Sequence, residues 1–113
     1  MSGSDYEREL KDILTKKGWL VFRSAGSFVC DLIALKPDKH MLIEVKSTKD
    51  DRYYTTLTKE TKAQFDMLNN LAKEGFNVWY YVRWKNVNKW SKYQLPIKTI
   101  DEYPVFRRKE NDS

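Results

Sequence analysis

The sequence predicts an α/β fold, a mixed β-sheet with helices on its faces in the order α-β-β-β-α-β-β. Three observations carry that reading. Two stretches, from Tyr6 to Gly18 and from Leu57 to Gly75, place apolar residues at helical spacing and end in glycine. Five short runs rich in branched and aromatic residues lie around them, bounded by turn formers. The two central runs are joined only by Lys36-Pro37-Asp38-Lys39, which suits an antiparallel hairpin.

In chain order, Ser4 or Asp5 can cap the first helix, and Tyr6, Leu10, Ile13 and Leu14 form its apolar stripe. Lys16 and Lys17 suit its C-terminus, and Gly18 supplies a left-handed cap. Trp19-Leu20-Val21-Phe22-Arg23 reads as a strand, followed by the small residues Ser24-Ala25-Gly26-Ser27. The hairpin comes next, Cys30 to Leu35 and Met41 to Ser47. Thr48 to Tyr54 has no clear period and is expected to be a mobile loop. The second helix carries Thr58, Thr61, Gln64, Phe65, Leu68, Leu71 and Ala72 on one stripe. Phe76 to Trp84 is then a strand, and Lys89 to Leu95, ended by Pro96, an edge strand. From Ile97 the pattern fades, and the residues from Arg107 to Ser113 are expected to fray.

Composition narrows the class. At 113 residues, with 41% hydrophobic and 33% charged residues, the chain fits one globular domain, spanning residues 1–113. No apolar run approaches the ~20 residues of a membrane span, and Met1-Ser2-Gly3-Ser4 does not resemble a signal peptide. A single cysteine, Cys30, excludes an intrachain disulfide and a cysteine zinc cluster. These features lead us to expect a cytoplasmic setting. His40, the only histidine, falls beside a turn and is expected to be solvated. Lys and Arg number 21 against 16 Asp and Glu, a net charge of +5 that suits a polyanionic partner.

The chemistry concentrates on the hairpin. Side chains alternate along a strand, so Met41, Ile43 and Val45 face one way, and Leu42, Glu44 and Lys46 the other. A carboxylate and an ammonium therefore share a face two residues apart, and Asp31 on the neighbouring strand can join them. Two carboxylates and a lysine suit Mg²⁺, which takes oxygen ligands and binds one or two carboxylates, waters and a substrate phosphate. The bland alternative is a solvated Glu–Lys pair with Asp31 as a turn residue. Glu7 lies on or beside the buried stripe of the first helix, where a carboxylate needs a partner. It can equally be a first-turn residue favoured by the helix dipole. Gln64 is also out of place among apolar neighbours. Lys16, Lys17, Arg23, Lys46, Lys49 and Arg52 are read as phosphate contacts at the end that carries the hairpin site.

The pattern Cys30-Asp31 followed by Glu44-Val45-Lys46 resembles the signature of the PD-(D/E)XK nuclease superfamily, the restriction-endonuclease-like fold. From Tyr6 to about Arg83 the chain is similar to the archaeal and viral Holliday junction resolvases. Those proteins open with a helix bearing Glu-Arg, here Glu7-Arg8, and continue with a Gly-aromatic strand ending in arginine, here Gly18 to Arg23. A loop serine follows, here Ser27, then the aspartate, the E-x-K pair and a helix glutamine, here Gln64. The resemblance implies a Mg²⁺-dependent endonuclease, with Mn²⁺ able to substitute, that cuts branched DNA as a two-fold homodimer. It implies that Glu7, Asp31 and Glu44 bind metal and that Lys46 orients or activates the attacking water. It also implies that Ser27 contacts substrate; together with the basic residues Arg23, Lys49 and Arg52, and with Gln64, it makes up the set expected to meet DNA.

Two departures stand out. Cys30 replaces the proline of the half-motif, and only Phe28-Val29-Cys30 separates Ser27 from Asp31, where resolvases have a longer basic segment. A nuclease of the VRR-NUC kind, or one with less selectivity, shares the same core. Rivals from other classes are a catalytically silent DNA-binding module and a homodimeric structural protein.

Overall fold

Alternation and capping decide the local structure. The computed structural model describes residues 3–24, 30–97 and 104–108. Helix α1 (Gly3–Lys16) buries Tyr6, Leu10 and Leu14, the stripe set by their spacing. Gly18 follows it at φ 93°, the left-handed conformation that a side chain disfavours. Strands β1 (Leu20–Arg23), β2 (Leu32–Lys36) and β3 (Lys39–Thr48) then form an antiparallel meander. Next come β4 (Arg52–Tyr54), α2 (Lys59–Lys73), β5 (Val78–Trp84), β6 (Lys89–Gln94) and β7 (Val105–Arg107).

The main sheet has the order β1-β2-β3-β5-β6. All its neighbours are antiparallel except β3 and β5, whose parallel pairing needs the crossover through β4 and α2. This is the mixed sheet with flanking helices that the sequence predicts, with β6 at the expected edge. The two faces carry separate cores. On one, α1 packs Leu10 and Leu14 against Val21, Leu32, Met41 and Ile43. On the other, α2 packs Phe65 and Leu68 against Val78, Tyr80, Val82 and Trp84. Central strand β3 serves both, which is why its pattern is the most informative in the chain.

Several details differ from the sequence reading. Helix α2 begins at Lys59, not Leu57, because Thr58 and Thr61 form a capping box: Thr58 Oγ1 accepts from Thr61 N at 3.1 Å, and Thr61 Oγ1 from Thr58 N at 2.9 Å. Thr48 to Tyr54 is not simply a loop. Strand β4 within it pairs antiparallel with β7, so Arg107, expected at the fraying end, lies opposite Arg52. His40 is a β3 residue whose Nε2 accepts the Asn77 backbone N–H at 3.0 Å. Lys16 and Lys17 lie at the opposite end of α1 from Glu7. At ~1.5 Å rise per residue, nine residues of helix hold Lys16 about 13 Å farther along.

Helix α1 is fixed to the far side of the sheet by a buried cation. Arg83 on β5 is ion-paired through Nε to Glu9 Oε1 at 3.1 Å, between the rings of Tyr6 and Trp90. Trp90 Nε1 donates to the same Glu9 oxygen at 2.7 Å. This anchor leaves the adjacent Glu7 directed toward the opposite sheet edge. Among the described residues, no helix is long and apolar enough to cross a membrane.

Candidate active site

Three elements bring the acidic and basic groups together. Strand β3 buries Glu44, which is only 2% exposed, and carries Lys46 two residues on, along the same face. Asp31 stands just before β2. Its backbone N–H bonds to Ile43 O at 3.0 Å, and its Oδ2 accepts the Val45 N–H at 2.8 Å, which holds the carboxylate beside β3. Ser24 fastens the end of β1 to the same point, its N–H bonding to Asp31 O at 2.9 Å and its hydroxyl to Cys30 O.

Lys46 Nζ lies 3.1 Å from Glu44 Oε2 and donates to Gln64 Oε1 at 2.8 Å. The glutamine that looked misplaced on the stripe of α2 is thus the partner of the buried lysine. The sequence reading placed Gln64 against DNA, but its side-chain oxygen is engaged inside the protein. The resemblance gave no hint of this pairing, and only the odd polarity at position 64 signalled it.

The electrostatics follow from burial. Desolvation pushes the Glu44 carboxyl up to about 8, against a counter-pull from Lys46, and the adjacent Asp31 carboxylate raises it further. For Lys46, burial is the largest effect and acts to lower the pKa, but Glu44, Tyr53 and Asp31 together outweigh it and the net shift is upward. Glu7 is also raised, by burial first and then by the charge of Asp31, while Arg23 pulls the other way. Arg23 Nη2 is 3.6 Å from Glu7 Oε1. Cys30 behaves as a packing residue: burial pushes its thiol up to about 11.

One oxygen decides what this arrangement can hold. Glu44 Oε1 is buried and has no hydrogen-bond partner among the described residues. An unpaired buried carboxylate oxygen is costly; a proton shared with the neighbouring Asp31 carboxylate relieves it, and so does a cation between the two. No three His, Cys, Asp or Glu side chains among the described residues are grouped as a ready-made metal cage. A carboxylate pair completed by water and phosphate is what a Mg²⁺-type site requires.

The remaining predicted residues fall around this centre. Arg23 and Glu7 meet each other at the end of β1. Lys49 follows β3, and Arg52 opens β4 with its Nε 3.4 Å from Asp51 Oδ1. Ser27 lies outside the described residues. The sequence reading missed Tyr53, which is buried and whose hydroxyl lies against Lys46. Burial raises its pKa, Lys46 opposes the shift, and Glu44 adds to it.

A parallel β3–β5 pair flanked by an antiparallel meander, with Asp31, Glu44 and Lys46 at the centre, defines the restriction-endonuclease-like superfamily. The chain belongs to the archaeal Holliday junction resolvase (Hjc) family, whose sequence profile matches residues 1–95. It is 44% identical over 52 residues to the crossover junction endodeoxyribonuclease Hjc of Methanocaldococcus jannaschii. That match covers 46% of this chain and 39% of the relative. The fold is similar to that of Hjc, a Holliday junction resolvase from Archaeoglobus fulgidus, with a TM-score of 0.63 and 25% identity. The structural match covers 81% of this chain and 76% of that one.

Proposed function

We propose that residues 1–113 act as one divalent-metal-dependent endodeoxyribonuclease, a cytoplasmic Holliday junction resolvase hydrolysing phosphodiesters at four-way junctions. The observation that carries this reading is Glu44, buried beside Asp31 with Oε1 unpaired and Lys46 at 3.1 Å. The activities named for its relatives, crossover junction endodeoxyribonuclease and Holliday junction resolvase, support it. The donor set fits a hard cation with oxygen ligands, Mg²⁺ first and Mn²⁺ as a substitute. Asp31 and Glu44 would hold it; Glu7, paired with Arg23 and not grouped with these two, would have to reach the ion from α1. Such an ion, when bound, polarises a phosphoryl oxygen and makes water a better nucleophile.

The protein groups do the positioning. Lys46, whose pKa is not lowered by its burial, stays an ammonium at neutral pH. It therefore donates a hydrogen bond and positive charge to the attacked phosphate or its water, and does not take a proton. Gln64 and Tyr53 hold that ammonium in place. Arg23, Lys49 and Arg52 contact phosphates, which sets register on the DNA without reading sequence. Ser27 is a further substrate contact.

A two-fold junction needs two active sites, and a second copy of the chain supplies the other. The surface suited to that copy is an apolar groove of about 480 Å³ lined by Ile33, Leu35, Leu42, Met67, Leu71 and Phe76. Phe22, cross-strand neighbour of Ile33, extends it, and both Phe22 and Met67 are 50% exposed. Leu42 in this groove and Glu44 in the site are successive same-face positions of β3, so the interface would adjoin the chemistry.

The test is cleavage of four-way junction, nicked, flap and linear duplex DNA, with Mg²⁺ and with EDTA. Junction cutting that EDTA abolishes is the expected result. Asp31→Asn and Glu44→Gln should each remove cleavage and leave junction binding at least as tight, since the basic contacts remain. Wild-type protein that cuts no substrate with Mg²⁺ or Mn²⁺, or either variant cutting at the wild-type rate, would overturn the assignment.

A further inference from the structure

The family profile ends at residue 95, yet the structure docks a segment beyond it beside the site. Strand β7 pairs with β4 in the register Arg52↔Arg107, Tyr53↔Phe106 and Tyr54↔Val105. Alternation divides this ribbon into two faces. Inward, Phe106 is 2% exposed and stacks on Tyr93 at 4.5 Å and on Tyr53 at 6.5 Å, with Tyr80 at 5.0 Å. Its neighbours are held by the backbone: Thr55 Oγ1 donates to Pro104 O at 2.9 Å, Arg108 N to Asp51 O at 2.9 Å, and Tyr93 Oη to Arg107 O. The segment is therefore built in.

The outward face presents a different chemistry. Arg52 and Arg107 are direct cross-strand partners, and like charges in that relation destabilise a sheet. Arg108 follows at once, and both Arg107 and Arg108 are exposed. Among the described residues, neither of these two guanidiniums has a carboxylate partner, and the one acidic group beside Arg52 is Asp51 at 3.4 Å. Facing arginines are tolerable where a polyanion neutralises them. Tyr53, on the other side of the same ribbon, touches Lys46, so the ribbon borders the catalytic centre.

We propose that Pro104–Arg108 is a nucleic-acid-binding extension, in which Arg107 and Arg108 join Arg52 in gripping DNA phosphates next to the scissile position. This rests on the nuclease reading above, and goes beyond it by assigning a substrate-binding role to a segment outside the family match. The contacts are to the backbone, so they strengthen binding to every DNA structure alike and leave the choice of junction unchanged.

The experiment uses the full chain with four-way junction DNA and measures affinity against salt. Log K falls linearly with log salt, with a slope near −0.9 per phosphate neutralised. The double variant R107Q/R108Q should flatten the slope by about two for each protomer that engages the DNA, and weaken binding to junction and duplex alike. R107K/R108K, which keeps the charge, should restore the wild-type slope. K39Q/K73Q, removing equal charge at the other end of the sheet, should leave it unchanged. If R107Q/R108Q binds with the wild-type slope, or if K39Q/K73Q flattens it equally, the extension has no such role. The nuclease reading then still stands, provided the wild-type protein cuts junctions with Mg²⁺. Wild-type protein that neither binds nor cuts junctions would defeat both.

Discussion

Burying a carboxylate in a β-strand with one oxygen unpaired is unfavourable, and at Glu44 the cost takes the form of a pKa near 8. This links stability, pH and metal. In the unfolded chain the carboxyl titrates near its ordinary 4.5, whereas the folded protein holds the proton up to about 8. Below 4.5 both states are protonated. Between the two values the unfolded chain alone has released its proton, so folding stability falls as pH rises through this window, then levels off. The steepest loss is about 1.4 kcal/mol per pH unit. Melting curves in EDTA from pH 5 to 8.5 should show this fall in the wild type and a flatter profile in Glu44→Gln. Mg²⁺ competes with that proton, so its stabilisation should be largest above pH 8 and absent from the variant. Equal pH profiles for the two proteins would mean that Glu44 titrates normally and that its burial has another explanation.

At the scale of elements, β3 was legible because its apolar face, Met41, Ile43 and Val45, alternates with a face on which Glu44 and Lys46 follow Leu42. Helix α2 was legible from its stripe, while the purpose of Gln64 on that stripe was not. A hydrogen bond to a lysine 18 positions earlier leaves no periodic trace. Strands β4 and β7 escaped notice for a related reason. Each has three residues, too few for a period of two to emerge, and their pairing spans some fifty positions. Their charged outward residues look like loop in sequence, and only Tyr53 and Phe106 point inward. The pairing of Lys46 with Gln64 has a measurable consequence. Gln64→Leu should leave α2 folded, because the site already borders apolar neighbours, but it releases Lys46 Nζ. Partners that orient an active-site group are commonly worth about 10- to 100-fold in activity. Single-turnover cleavage should drop by that order while junction affinity stays within about twofold. A loss of affinity with an unchanged rate would instead return Gln64 to the DNA surface.

For the whole molecule, the proposed activity requires one chain with one site to cut a substrate with two-fold symmetry. A closed two-fold dimer uses the same patch on both copies, so that patch must be self-complementary and apolar at its centre. The groove between β2, β3 and α2 has this character, and half-exposed Met67 and Phe22 are the large side chains that a partner would cover. A stable interface covers about 800 Å² on each partner, which needs the β1 residues as well as the groove. Met67→Asp tests the arrangement cleanly. The residue is half exposed on the outer side of α2, so an aspartate there stays solvated in a monomer and costs the isolated fold little. In a dimer the same carboxylate would be buried against apolar atoms without a partner. Sedimentation at micromolar concentration should therefore show a wild-type dimer and a folded Met67→Asp monomer whose melting transition no longer depends on protein concentration. On a cruciform plasmid the wild type should make paired incisions within one encounter and yield linear product, whereas the variant should accumulate singly nicked circles. A wild-type protein that sediments as a monomer would sink the two-fold scheme. A Met67→Asp variant that stays dimeric would move the interface to another face and leave the groove without its occupant.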